Sequence, residues 1–191
     1  ASQVPAVSSF AAGVNMADLG KAYLVNDLGF NWAKGYVNWA TVEPEPGQFR
    51  WVDPDNVVKA FTDQQLNILL RIHGTPTWAR PADSSLSHPP TDLTDFANFV
   101  TELATRYRGQ VAAYEIWNEG DISEGESSAA VSARNFAKVL QAASAAIKAQ
   151  DPQAAVVFGG LAGAPDAAVA YVQDVRTELK GKLPVDAIGV H

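Results

Sequence analysis

Leu69-Leu70-Arg71-Ile72-His73 and Tyr114-Glu115-Ile116-Trp117-Asn118-Glu119 are strand-length apolar runs that carry charge. Side chains alternate across a strand with period two. Leu70 and Ile72 therefore share one face of the first run, and Tyr114 and Ile116 one face of the second. The opposite faces hold Arg71 with His73, and Glu115 with Trp117 and Glu119. Strands of an open doubly wound sheet are buried on both sides and tend to be apolar on both. A single face that turns polar toward its C-terminal end suits a closed barrel, whose sites sit at that rim. Arg71 and Glu115 fall at similar depth on the polar faces, which predicts an ion pair between them inside the barrel.

Outward from these runs the same unit recurs. Strands are expected over Ala11–Asn15, Asn31–Tyr36, Asn67–His73, Val111–Trp117, Ala155–Gly159 and Asp186–His191, with Gly or Pro near most of their ends. Between them, Leu93, Phe96, Phe99, Val100, Leu103 and Tyr107 stripe one helix, and Val131, Phe136, Val139, Leu140, Ala143 and Ile147 the next. Val169, Val172, Val175 and Leu179 stripe a third, and Ala17–Leu28 and Asp53–Gln64 carry shorter patterns. Alternating strands and helices joined by right-handed crossovers predict an α/β fold, a (β/α)8 TIM barrel of which residues 1–191 form the N-terminal portion, about the first six strands of one domain. The edges at Ala11-Ala12-Gly13-Val14 and Ala187-Ile188-Gly189-Val190 carry neither charge nor proline. Further polypeptide is expected to complete them, from the rest of the same protein or from a second copy.

Composition narrows the chemistry. Lys and Arg total 14 against 21 Asp and Glu, a net charge of -7, so no basic stripe invites nucleic acid. With no cysteine there is neither a disulfide nor a thiolate metal site. The three histidines are scattered, without H-E-x-x-H or a short H-x-H, and no metal is expected. Gly13-Val14-Asn15-Met16 lacks the spacing of a dinucleotide loop, and no cofactor is expected. Gly159-Gly160-Leu161-Ala162-Gly163 reads as a tight turn. No run approaches the ~20 apolar residues of a membrane span. Ala1-Ser2-Gln3 opens without the basic and apolar regions of an export signal. Any such signal is expected outside this chain, with an extracellular or cell-surface location as the working expectation.

The strongest chemical signal is Trp117-Asn118-Glu119, delivered by an apolar strand to its own C-terminal end. It resembles the Asn-Glu signature on the fourth strand of clan A retaining glycoside hydrolases. Lys34, Trp39, Glu43-Pro44, Pro46-Gly47 and Trp51 resemble the clan's second-strand pattern. Ile72-His73-Gly74-Thr75-Pro76-Thr77-Trp78-Ala79 resembles its third-strand exit, and Gly189-Val190-His191 its sixth. Families 39 and 42 are the nearer likenesses, with the cellulase-like family 5 further away.

The resemblance implies Glu119 as general acid/base and Asn118 as the residue meeting the sugar 2-hydroxyl. His73, Trp78, Lys34, Trp39 and His191 join Asn118 as candidate substrate-binding residues. Trp78, in a post-strand loop, is read equally as a sugar-stacking face and as packing. Packing or support from behind is favoured for Trp39 and Trp117. Two departures stand out: Lys34 replaces the clan's usual arginine and lacks its bidentate fork, and Gly120 stands where relatives often have proline. The implied function is hydrolysis of β-linked sugars or plant-type polysaccharides, with β-xylosidase, β-glucosidase and endo-glycanase as candidate activities. The nucleophile is expected on a seventh strand beyond this chain, so the 191 residues alone are expected to be inactive. The alternative is a carbohydrate-binding or partner-binding barrel without catalysis, since fold alone does not imply chemistry.

Overall fold

The computed structural model describes residues 11–122 and 131–191; the opening Ala1-Ser2-Gln3 lies outside them. Six strands run in parallel in the order β1 Gly13–Asn15, β2 Trp32–Asn38, β3 Asn67–His73, β4 Ala113–Asn118, β5 Ala155–Leu161 and β6 Ala187–Val190. Each pairs with its sequence neighbour, the pattern of consecutive crossovers. The sheet is a curled part of a (β/α)8 barrel, with β1 and β6 as its outer edges.

The helices are α1 Tyr23–Asp27, α2 Trp39–Val42, α3 Val52–Thr62, α4 Leu93–Arg106, α5 Ala133–Gln150 and α6 Pro165–Glu178. The α4 helix starts where the Asp92 carboxylate accepts from Thr94 N and buries Phe96, Phe99, Val100 and Leu103. Ser132 caps α5 in the same way, accepting from Asn135 N, and α5 lies between α4 and α6. Pro165 opens α6, where the missing N–H costs nothing. Only Val175 of α6 is buried. No helix among the described residues is long and apolar enough to cross a membrane.

Sequence periodicity located every strand among the described residues, and the differences are local. The Ala17–Leu28 pattern divides into a 3-10 turn at Leu19–Lys21 and the short α1. The single-turn α2, capped by Asn38 accepting from Ala40 N, has too few residues to show a period. Gly159 and Gly160 belong to β5 itself, so the expected tight turn is corrected to strand.

The two faces of the sheet separate as the alternation requires. On β2, Ala33, Gly35 and Val37 are buried against the helices, and Lys34, Tyr36 and Asn38 face the partly open lumen. On β3, Ile68, Leu70 and Ile72 are fully buried, leaving Leu69, Arg71 and His73 on the lumen side. The inward register of Arg71 and Glu115 is as expected, and the two are paired across β3 and β4. Their ion pair is not formed. Glu115 Oε2 is instead taken by Lys34 Nζ at 2.6 Å, across from β2. A flexible lysine stem reaches the carboxylate from two strands away, whereas the flat guanidinium of Arg71 lies over the Tyr36 ring, 4.2 Å from its centroid.

Candidate active site

Four of the seven residues singled out for chemistry meet at the C-terminal ends of the strands. The decisive feature is a break in alternation on β4. Trp117 has φ of 72° and Glu119 φ of 49°, both in the left-handed region that bulky side chains rarely occupy. Pairing with β5 skips Trp117, running from Ile116↔Phe158 to Asn118↔Gly160. Trp117 therefore leaves the inward face on which strict alternation placed it. Its ring is 1% exposed and packs edge-on against Phe96 of α4, 6.0 Å between centroids. Asn118 takes the inward position, so two consecutive residues, Asn118 and Glu119, serve the rim where a regular strand would offer one.

The neighbouring strand makes room for this backbone turn. A Cβ on Gly159 would collide with the Ile116 carbonyl oxygen and the Trp117 backbone, and one on Gly160 with the His191 ring. At Gly159 the close approach of backbone requires glycine, the role such residues often have inside strands, whereas Gly160 leaves room for the His191 ring. Glu119 N donates to Gly160 O at 2.9 Å, and Gly160 N donates to Glu115 Oε1 at 3.2 Å. Just beyond, Asp121 accepts from Ala162 N and Gly163 N at 3.0 and 2.8 Å, tying the β4 exit to the β5 exit. Gly160 and Asp121 were not singled out from sequence; the Gly159-Gly160 pair was the signal.

Glu119 Oε1 lies 2.8 Å from His191 Nδ1, and both side chains are 32% exposed, open to solvent on the lumen side. Nδ1 donates along that line in the tautomer that carries its hydrogen there. Asn118 Oδ1 accepts from Arg71 Nη1 at 2.6 Å. Burial draws the Arg71 pKa down from its usual value, opposed by Tyr36 and the carboxylates of Glu115 and Glu119. His73 ends β3 with Nδ1 buried and without a partner. Burial first, and the Arg71 charge second, push its pKa down from 6.5 to about 4, so it is a neutral ring at pH 7.

The remaining candidates sit differently. Lys34 spends its charge on Glu115 at mid-depth. Trp39 is fully buried, stacked on Phe99 at 5.5 Å and donating from Nε1 to Glu43 Oε2 at 2.7 Å. It supports the rim from behind, as expected of its packing role, and offers no face to a ligand. Trp78 is half-buried in the turn Thr77–Ala79, edge-on to Trp39 at 5.8 Å, its indole N–H donating to the Glu43 carbonyl at 3.0 Å. Among the described residues no three His, Asp or Glu side chains gather as a metal site would need.

The sequence model of the family described as Cellulase (glycosyl hydrolase family 5) matches residues 14–180. A family 39 glycoside hydrolase from the gut symbiont Bacteroides cellulosilyticus WH2 superposes with a TM-score of 0.75 at 19% identity, over 94% of this chain and 37% of that one. A xylanase from Paenibacillus barcinonensis gives 0.67 at 16% identity, over 100% and 63% of the two chains. An exo-beta-1,4-mannosidase from Opitutaceae bacterium strain TAV5 gives 0.63 at 17%, over 80% and 32%. At such identities the likeness establishes the fold. The chain spans less than two thirds of the length of each of these three structures.

Proposed function

The chain belongs to the cellulase family, glycosyl hydrolase family 5, and on that premise we propose that it is part of a retaining glycosidase acting on β-linked sugars, with Glu119 as general acid/base. The observation that carries this reading is the left-handed backbone turn at Trp117 and Glu119, which presents Asn118 and Glu119 side by side at the barrel rim. In the first step a carboxylate nucleophile attacks the anomeric carbon while Glu119 gives its proton to the departing glycosidic oxygen. In the second, Glu119 as carboxylate takes a proton from the water that releases the sugar. His191, in hydrogen-bond contact with Glu119, orients the carboxyl through both steps. Asn118 meets the sugar 2-hydroxyl, where hydrogen bonds strengthen in the transition state. Neutral His73 binds a hydroxyl, and Trp78 offers a ring face.

The nucleophile must stand about 5–5.5 Å from Glu119 in a retaining enzyme. Glu115, the other carboxylate on the lumen side of β4, is committed to Lys34 and Gly160 N. We assign the nucleophile to a strand pairing with the free edge of β6, supplied by the rest of the same protein or by a second copy. An open apolar groove of about 770 Å³ beside that edge, lined by Leu161, Val169, Val172, Ile188 and Val190, supports continuation there. The second reading is a carbohydrate-binding barrel without turnover, since fold alone does not imply chemistry. Replacing Glu119 by Gln in the full-length protein separates the two. Hydrolysis of aryl β-glycosides with poor leaving groups should vanish while activated ones retain much of their rate, with configuration retained at the anomeric carbon. Equal loss on both kinds of substrate refutes the acid/base assignment, and a wild-type protein that binds but never hydrolyses establishes the second reading.

A further inference from the structure

Resting on the reading of Asn118 as the residue that meets the sugar 2-hydroxyl, we infer that Arg71 is a positioning residue that sets the direction of the Asn118 amide. The site is thereby made to offer a hydrogen-bond donor, and never an acceptor, to the sugar position beside the reacting carbon.

An asparagine amide is nearly symmetric in shape, so sterics alone leave its oxygen and nitrogen interchangeable. Arg71 removes that freedom. A guanidinium has five donors and no acceptor, and Arg71 Nη1 sits 2.6 Å from the amide. Turning the amide over would set NH2 against N–H in a half-buried lumen and lose a charge-assisted hydrogen bond. Oδ1 is therefore held by Arg71, and Nδ2, with its two hydrogens, is directed away from it.

Arg71 is held in turn. Its guanidinium lies over the Tyr36 ring, 4.2 Å from the centroid, and the Tyr36 hydroxyl donates to Asn15 Oδ1. Asn15, Tyr36, Arg71 and Asn118 thus form a line across β1, β2, β3 and β4. The competing partner is Glu115, which is directly opposite Arg71 in the strand register. Because Lys34 occupies the Glu115 carboxylate at 2.6 Å, the guanidinium is released for Asn118. Lys34 and Arg71 divide the work: one neutralises the buried carboxylate and the other aims the amide.

The test compares kcat/KM of the full-length protein on an aryl β-glycoside and on its 2-deoxy counterpart, for wild type, Arg71→Met and Arg71→Lys. The ratio of the two substrates should fall by about 10- to 100-fold in Arg71→Met, chiefly through kcat, because the contact to the 2-hydroxyl is lost only where that hydroxyl exists. Arg71→Lys keeps the charge without the flat stack on Tyr36 and should give a smaller fall. A purely structural role would depress both substrates alike, so an unchanged ratio in both variants overturns the inference. Independently of turnover, the side-chain amide signals of Asn118 in a 1H–15N NMR spectrum should move and exchange faster with water in Arg71→Met. Unmoved signals overturn the inference even if no β-glycoside is hydrolysed, whereas absent hydrolysis with moved signals refutes only the proposed function.

Discussion

Replacing Lys34 by Met strands the Glu115 carboxylate inside the barrel. In the native chain Lys34 Nζ and Glu115 Oε2 are 2.6 Å apart, with side chains 16% and 3% exposed. Breaking such a pair from one side costs about 3–5 kcal/mol, because the survivor keeps its charge without its partner. Two features place the effect at the lower end. Glu115 keeps the long hydrogen bond from Gly160 N, and Arg71, opposite it in the register, can turn toward it. We expect a loss of about 3 kcal/mol, which at a slope of roughly 2 kcal/mol per molar urea moves the unfolding midpoint down by about 1.5 M. The double variant Lys34→Met/Glu115→Leu removes both charges and should recover most of that loss. The ion pair of Lys59 and Asp63 on the outer surface, with side chains 73% and 54% exposed, is the control, and Asp63→Asn should cost no more than about 1 kcal/mol. Urea unfolding of the four proteins decides the matter. A Lys34→Met variant within about 0.5 kcal/mol of wild type, or a double variant no better than the single, would refute the argument that this pair is a buried necessity.

His73 predicts a pH dependence of stability. Its pKa lies near 4 in the folded chain against 6.5 unfolded, so between those values the unfolded chain binds more protons and stability falls as pH drops. The gap corresponds to about 3 kcal/mol, present in full above pH 6.5, and His73→Asn should flatten that part of a plot of urea midpoint against pH. Gly159→Ala and Gly160→Ala should behave differently. The first presses a methyl into the β4 backbone, which cannot yield, and should cost about 1–3 kcal/mol in urea unfolding. At the second the nearest atoms belong to the His191 ring, which can swing away, so stability should hold better while the His191 to Glu119 contact is lost, visible as a changed His191 imidazole signal in NMR. Equal destabilisation by the two substitutions would contradict that distinction.

Much of this molecule is legible locally. The strands at Asn67–His73 and Ala155 onward, and the apolar stripes of α4 and α5, follow from periods of two and 3.6 that any backbone of those geometries imposes. The polar lumen face of β3 is equally legible, since Arg71 and His73 alternate with Leu70 and Ile72. Position at the rim was legible for Asn118 and Glu119, because a strand's C-terminal end is where a barrel opens.

Direction and partnership were not. Alternation sent Trp117 inward, and only the close approach of β5, permitted by Gly159, reveals that the backbone turns there and sends the indole to α4. Alternation likewise put Arg71 and Glu115 on one face, at paired positions, yet the ion pair belongs to Lys34. The physical reason is the same in both cases. Which face a residue occupies is a property of its own strand, whereas which atom it meets depends on the spacing, register and reach of side chains two strands away. The meeting of Glu119 with His191, 72 residues apart in the chain, is of that second kind, and it exists only once the sheet has curled.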